Sequence, residues 1–130
     1  MKDQGHWEGI KLNADKNFGF VYSVTNLTNG REYIGKKQFY SYKKTKRHKE
    51  LEWRSYTGSS KYLNADINSL GIENFKFTAL KQYRTKGWLT YSEANMQHRV
   101  GALTKYMPDG QRKYYNQQIS AIRFIPKKGD

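Results

Sequence analysis

The chain has 130 residues and no cysteine. That is a length for one domain and a composition that excludes disulfides and cysteine-held zinc and agrees with a cytoplasmic protein. It carries 24 Lys+Arg against 11 Asp+Glu, a formal net charge of +13, and such self-repulsion calls for a polyanion, nucleic acid before an anionic membrane surface.

The sequence has no long apolar run, signal peptide or amphipathic lipid anchor, which sets the membrane aside. Hydrophobic residues at 36 % allow one modest core, and the 11 tyrosines suit either that core or stacking on bases beside phosphate-gripping lysines. Residues 1–17 are polar and weakly patterned. They read as an N-terminal extension with a short strand at residues 7–12 that packs against or pairs with the following hairpin. His6 has no recognisable partner and reads as a surface residue. Residues 20–25, FVYSVT, are β-branched and aromatic and predict a strand. Asn29-Gly30 is a hairpin turn, because both residues accept positive φ, and residues 31–35 form the returning arm. Each arm carries one tyrosine, Tyr22 and Tyr33. Alternation puts Tyr33, Gly35 and Lys37 on one face. A phenol, a missing side chain and an ammonium suit a phosphate, with the glycine allowing close approach to the backbone. The competing reading is tyrosines packed for structure alone.

Residues 36–54 hold eight Lys/Arg and two acids, Glu50 and Glu52. Such a run is either a solvated loop or a DNA-contacting segment. The net charge favours the second, with Lys36, Lys43, Lys44, Lys46 and Arg47 on phosphates and the aromatics near sugars or bases. Ser59 or Ser60 caps a helix running to about residue 70, with Leu63, Ile67 and Leu70 on one buried stripe. Gly71 stops that helix and Ile72 packs back onto its last turn; its N-terminus at Ser59 and Ser60 is placed to bind a phosphate. Residues 74–82 alternate and predict a third strand, with Phe75, Phe77 and Ala79 on one face. Residues 90–105 predict the last main helix, and Thr90-x-x-Glu93 has the form of a capping box. Residues 114–125 are short of helix signals and predict a further strand; residues 125–130 should fray. The fold class is α+β. A small three-stranded antiparallel sheet is flanked by helices, in one domain over residues 1–130, with a basic insertion after the first hairpin.

Glu93 stands on the apolar stripe of the last helix with Met96, Val100 and Leu103. A buried carboxylate needs a partner or a metal, and a capping role toward the Thr90 backbone is an equal alternative on spacing alone. Here a family resemblance enters. The hairpin resembles the signature of the GIY-YIG nucleases, two short motifs about ten residues apart. Phe20-Val21-Tyr22 departs from the first motif at two of three positions, and Tyr33-Ile34-Gly35 matches the second. The resemblance spans residues 20–116, and small free-standing phage nucleases are the most similar members.

The resemblance implies that Glu93 binds one divalent ion, Mg²⁺ with Mn²⁺ as the alternative. It implies that Tyr22 positions or deprotonates the attacking water, that Tyr33 holds the phosphate, and that Asn116, after Tyr115, belongs to the site. Many members carry an arginine on their first helix. Lys43 stands at the corresponding spacing, in a segment that reads as inserted, so the cationic role is assigned to Lys37 and, after it, to Arg54. His48 and His98 have no second ligand at a recognisable spacing and read as exposed. The implied function is a metal-dependent DNA endonuclease, located in the host cytoplasm if phage-encoded, with its oligomeric state unassigned. The alternatives are a non-catalytic nucleic-acid-binding module and a nuclease acting on RNA. A pure binder has little use for a buried acid beside phosphate. With no separate recognition domain in view, modest sequence selectivity is expected.

Overall fold

A computed structural model describes residues 3–129. Strand β2 (Gly19–Asn26) is its centre, with seven of its eight residues buried. A strand covered on both faces reads as a continuous apolar run, which is why FVYSV lacks clean alternation. Strand β3 (Glu32–Gln38) returns antiparallel to β2, with Tyr22 opposite Gly35. On the other side β6 (Phe75–Tyr83) also pairs antiparallel to β2, with a bulge that leaves Leu80 without an opposite residue.

The three expected strands are thus present, but the sheet has a fourth. Strand β1 (Trp7–Gly9) runs parallel to β6 with Trp7 opposite Phe77, giving the order β1-β6-β2-β3. The extension therefore pairs with the third strand and packs against the hairpin, Trp7 lying against Phe20 and Tyr22. The cause is apolar: Trp7 and Leu12 are buried with Phe20 and Tyr22 in the main core. The Trp7 indole N–H donates to the Trp53 carbonyl at 2.6 Å. His6 is also held, contrary to its reading as a free surface residue. Its ring stacks on Phe77 with centroids 3.8 Å apart, and Nε2 lies 2.9 Å from the Tyr56 carbonyl.

Helix α1 (Lys61–Leu70) covers one face of the sheet. Ser60 caps it by accepting from the Leu63 N–H at 3.2 Å, and Leu63 and Ile67 join Phe20, Tyr22 and Val24 in the core. Gly71, at φ 94°, ends the helix as expected. Leu70 and Ile72 are 40 % and 47 % exposed, so the buried stripe is two residues long and Ile72 opens a short 3₁₀ turn instead of packing back.

Helix α2 (Lys86–Val100) covers the opposite face, with Leu89 against Val21 and Ile34. Its true cap is Thr85, whose Oγ accepts from the Trp88 N–H at 3.2 Å, and Gly101 in the left-handed region ends it. Thr90 and Glu93 therefore lie inside the helix, and the capping-box reading fails. Leu103 falls beyond the helix and is exposed.

The basic segment is not a loop. Lys36 and Lys37 belong to β3, and strands β4 (Tyr40–Lys43) and β5 (Lys46–Glu50) form a separate two-stranded ribbon. Residues 114–125 form no strand; Tyr114 makes one parallel bridge to Glu32. No helix among the described residues is long and apolar enough to cross a membrane.

The two candidate caps are separable by mutation. Thr85→Ala should lower unfolding stability by about 1 kcal/mol, the usual value of an N-cap. Thr90→Ala should cost well under half of that. Chemical denaturation of both variants checks the order.

Candidate active site

Strand β3 is the last strand of the sheet, so every second residue points its backbone polar groups outward and unpaired. The chain satisfies these positions one by one. Glu32 pairs with the returning chain: its N–H donates to the Lys113 carbonyl at 2.9 Å, and its carbonyl accepts from the Tyr115 N–H at 2.7 Å. Ile34 pairs with side chains. Asn116 Oδ1 accepts from its N–H at 3.1 Å, while Asn116 Nδ2 and Gln97 Nε2 donate to its carbonyl at 2.8 and 2.9 Å. At Lys36 the covering group is Glu93. Its carboxylate takes a hydrogen bond from the Lys36 ammonium, with Nζ 3.4 Å from Oε1, and the nearby Lys36 backbone helps to hold its pKa down. Beyond Ile34 the strand edge borders an open cleft of about 340 Å³ whose walls include Tyr33, Lys36, Ser59, Glu93, Gln97 and Asn116.

Tyr22 and Tyr33 stand on the α1 side of this edge, with ring centroids 6.2 Å apart. Tyr22 is 1 % exposed, wedged against Trp7 and Tyr56. Its hydroxyl lies in a slot between two glycines. A Cβ at Gly35 would stand 2.6 Å from Tyr22 Oη, and one at Gly58 3.1 Å from it. Gly35 therefore makes room for the phenol of Tyr22, not for a phosphate at the backbone as the alternation suggested. Tyr33 reaches Ser59, Oη to Oγ 3.3 Å, at the start of α1.

Electrostatics divide the site. Burial pushes Tyr22 well above the usual phenol range, and the neighbouring Tyr33, Tyr56 and Glu93 push the same way. Tyr33 is raised too, chiefly by burial. In the free protein both are neutral phenols. Glu93, with its side chain 12 % exposed, is raised by burial, and Lys36 partly offsets that. Lys37 sits on the tyrosine side, its ammonium 4.3 Å from the centre of the Tyr56 ring, and burial lowers its pKa. The two lysines flank the edge, Lys36 toward α2 and Lys37 toward the tyrosines.

No cluster of three or more His, Cys, Asp or Glu suited to a metal exists among the described residues. Glu93 is a lone carboxylate, half-desolvated and already facing a cation, the Lys36 ammonium. That donor set fits a hard ion such as Mg²⁺, which keeps most of its waters and takes one or two carboxylates plus substrate phosphate. The Asn116 amide is committed to Ile34, which makes it a positioning residue.

Other expected site residues lie elsewhere. Arg54 donates to Glu50 Oε2 at 2.9 Å and to the Asp3 carbonyl at 3.0 Å, and stacks on Trp53. It lines a separate cavity with Asp15 and Tyr40, so it is not the cation of this cleft. Lys43, Lys44, Lys46 and Arg47 are on the β4–β5 ribbon. Ser60 is used as a helix cap, and Ser59 lines the cleft. His48 and His98 are exposed. Sequence reasoning missed Gln97, Tyr56 and Gly58. Gln97 had a signal, since it lies four residues after Glu93 and so on the same helix face.

The chain matches the family described as "Putative endonuclease segE, GIY-YIG domain" over residues 6–119. It is 36 % identical over 69 residues to the "Putative endonuclease segE" of Enterobacteria phage T4. That alignment covers 52 % of this chain and 28 % of the phage protein, so the similarity spans about a quarter of the relative's length. No solved structure matches. The family match runs from the residue before β1 to beyond Asn116 and takes in β3, Tyr22 and Glu93 together, and the chain belongs to the GIY-YIG family, in its segE branch.

Proposed function

We propose that the protein is an endonuclease that hydrolyses phosphodiester bonds of DNA with one divalent ion, Mg²⁺ or Mn²⁺, held by Glu93. One observation carries this reading: a desolvated carboxylate at the open edge of β3, beside one buried and one half-buried phenol and two lysines. A binding surface alone gains nothing from an acid there, because it repels the phosphates that the +13 charge attracts. When bound, the divalent ion stabilises charge on the phosphorus oxygens and the leaving oxygen.

The chain's own groups have distinct tasks. Lys36 and Lys37 flank the phosphate along the β3 edge and lower the cost of bringing it against Glu93. Tyr33, backed by Ser59, donates to a phosphate oxygen. Tyr22 accepts a hydrogen bond from the attacking water and fixes its approach. To take the proton outright, Tyr22 must lose part of the negative field that raises it, and neutralising Glu93 removes one source of that field. Asn116 and Gln97 hold Ile34 and so fix the strand on which Tyr33 and Lys36 stand. The segE relative is a phage protein, which favours action in the host cytoplasm.

Glu93→Gln should abolish cleavage of plasmid in Mg²⁺ while duplex affinity stays equal or rises, since a repelling charge is gone. Melting should shift little, because the paired Lys36 is partly exposed and such pairs contribute about 0–1 kcal/mol. A variant that nicks plasmid at the wild-type rate removes Glu93 from the reaction.

Tyr22 gives a pH test with a defined sign. A base whose pKa lies well above 10 is mostly protonated at neutral pH, and its active fraction rises about tenfold per pH unit. Single-turnover cleavage should therefore climb steadily from pH 6 to 9 without a plateau. Tyr22→Phe should lower the rate by about 10²- to 10⁴-fold, the usual range for general acid–base groups, and flatten that climb. A Tyr22→Phe enzyme with the wild-type slope would show that the proton leaves by another route.

A further inference from the structure

The β4–β5 ribbon is built against its own stability. Lys43 and Lys46 face each other directly across the two strands, and like charges at directly opposed positions repel. The turn between them is Lys44-Thr45, with φ of 51° and 67°. A two-residue turn with both φ positive belongs to Asn-Gly or Gly-Gly; a β-branched threonine there is unfavourable. No ion pair joins Lys43, Lys44, Lys46 or Lys49 to an acid among the described residues. Every residue from Tyr42 to Glu50 is exposed.

The root of the ribbon is firmly held, and one of its faces is taken. Tyr42 stacks on Phe18 at 5.1 Å, and Arg47, its cross-strand partner, donates to the carbonyls of Ala14 and Asp15. Arg47 also lies over the Tyr40 ring. Arg47 is therefore an anchor of the ribbon through its Nη2. Alternation leaves Lys43 and Lys46 on the opposite, free face. The ribbon continues from β3 through Phe39, which is fully buried and accepts from the Leu51 N–H at 2.8 Å. A rigid connection thus links Lys36 and Lys37 to the lysine tip.

We infer that this ribbon enters the major groove of duplex DNA tip first, and so sets which duplex positions reach the cleft. Two paired strands are about 5 Å apart; with side chains they match a groove about 12 Å wide and 8.5 Å deep, which admits a two-stranded ribbon. The lysines at the tip find there the phosphates of both walls and the O6 and N7 acceptors of guanine. The repulsion between the facing lysines is then relieved by the bound polyanion. The inference rests on the nuclease reading only for its reference point, the position of the cut.

The test replaces the tip without unfolding it. In one variant Lys43→Gln, Lys44→Asn, Thr45→Gly and Lys46→Gln are combined, which restores a favoured turn. This variant should melt no earlier than wild type. Its duplex affinity near 150 mM salt should fall at least tenfold, and the slope of log K against log salt should flatten by about 2–3, at about 0.9 per lost phosphate contact. Affinity for single strands should change less than threefold. Wild type should protect guanine N7 from dimethyl sulfate at a fixed offset from the cut, and the variant should not. Loss of affinity with no N7 protection in wild type overturns groove entry in favour of backbone contact. Unchanged duplex affinity with normal cleavage overturns the inference and leaves the nuclease reading standing. Ribbon-dependent N7 protection by a protein that never cuts would strike the nuclease reading and keep this one, its offset then measured from the Glu93 cleft by tethered cleavage.

Discussion

An edge strand must do something with its outward backbone groups, and the way β3 does it determines the rest of the molecule. Left bare, the edge would be a template for pairing with another chain. The protein closes it with three different chemistries in sequence: main chain at Glu32, a neutral amide pair at Ile34, a carboxylate at Lys36. The change from backbone to amide to carboxylate is a progression from pure structure to chemistry. The first two positions cost nothing electrostatically. The third places a charge in a half-buried setting, where it is raised by desolvation and balanced by one lysine. A group so poorly compensated is where a ligand of opposite charge gains most.

The tyrosine side depends on the same strand. Tyr22 is opposite Gly35, and any side chain there would collide with its hydroxyl. Gly58 guards the slot from above, just before the helix whose cap residue ends the loop. The phenol is thus placed by packing on all sides, with Trp7 and Tyr56 against its ring. The N-terminal extension matters here for a reason its polarity conceals. It delivers Trp7, which both pairs β1 to β6 and seats Tyr22. Catalytic geometry in so small a core is inseparable from core packing.

Much of this was legible in the sequence where local rules act alone. The alternation of Phe75, Phe77 and Ala79, the cap at Ser60 and the stop at Gly71 all follow from backbone preferences and are present; the chain also turns at Asn29-Gly30, but in a longer loop closed from Asn26 to Arg31 in which only Gly30 takes positive φ. The tyrosine pair and Glu93 were reached through spacing and resemblance, and the fold brings them to one edge. What sequence missed was non-local. Thr90-x-x-Glu93 has the letters of a capping box, but Thr85 begins the helix a full turn earlier and competes successfully. Arg54 has the right charge, yet Glu50 one helical-turn spacing away and the Asp3 carbonyl hold it on another surface. The short strand at Trp7 was recognisable, while its parallel partner β6, seventy residues on, was not. Pairings of that separation leave no trace in a local pattern.

The division between Lys36 and Lys37 shows where the alternation rule stops. Inside a sheet, adjacent side chains are on opposite faces and cannot share a task. That rule favours Lys37 over Lys36 for the cationic role, because Lys37 shares the face of Tyr33. At a sheet edge the two faces meet around the exposed backbone, and long side chains from both can converge on one ligand. Lys36 reaches Glu93 on the α2 side, and Lys37 lies over Tyr56 on the other. A phosphate along the edge between them meets two point charges from opposite directions, without the planar fork of a single arginine. On the proposed reading the arginine of the family pattern, absent here, leaves no gap in function. Its charge would be divided between two consecutive residues, an arrangement that requires β3 to stay the last strand of the sheet.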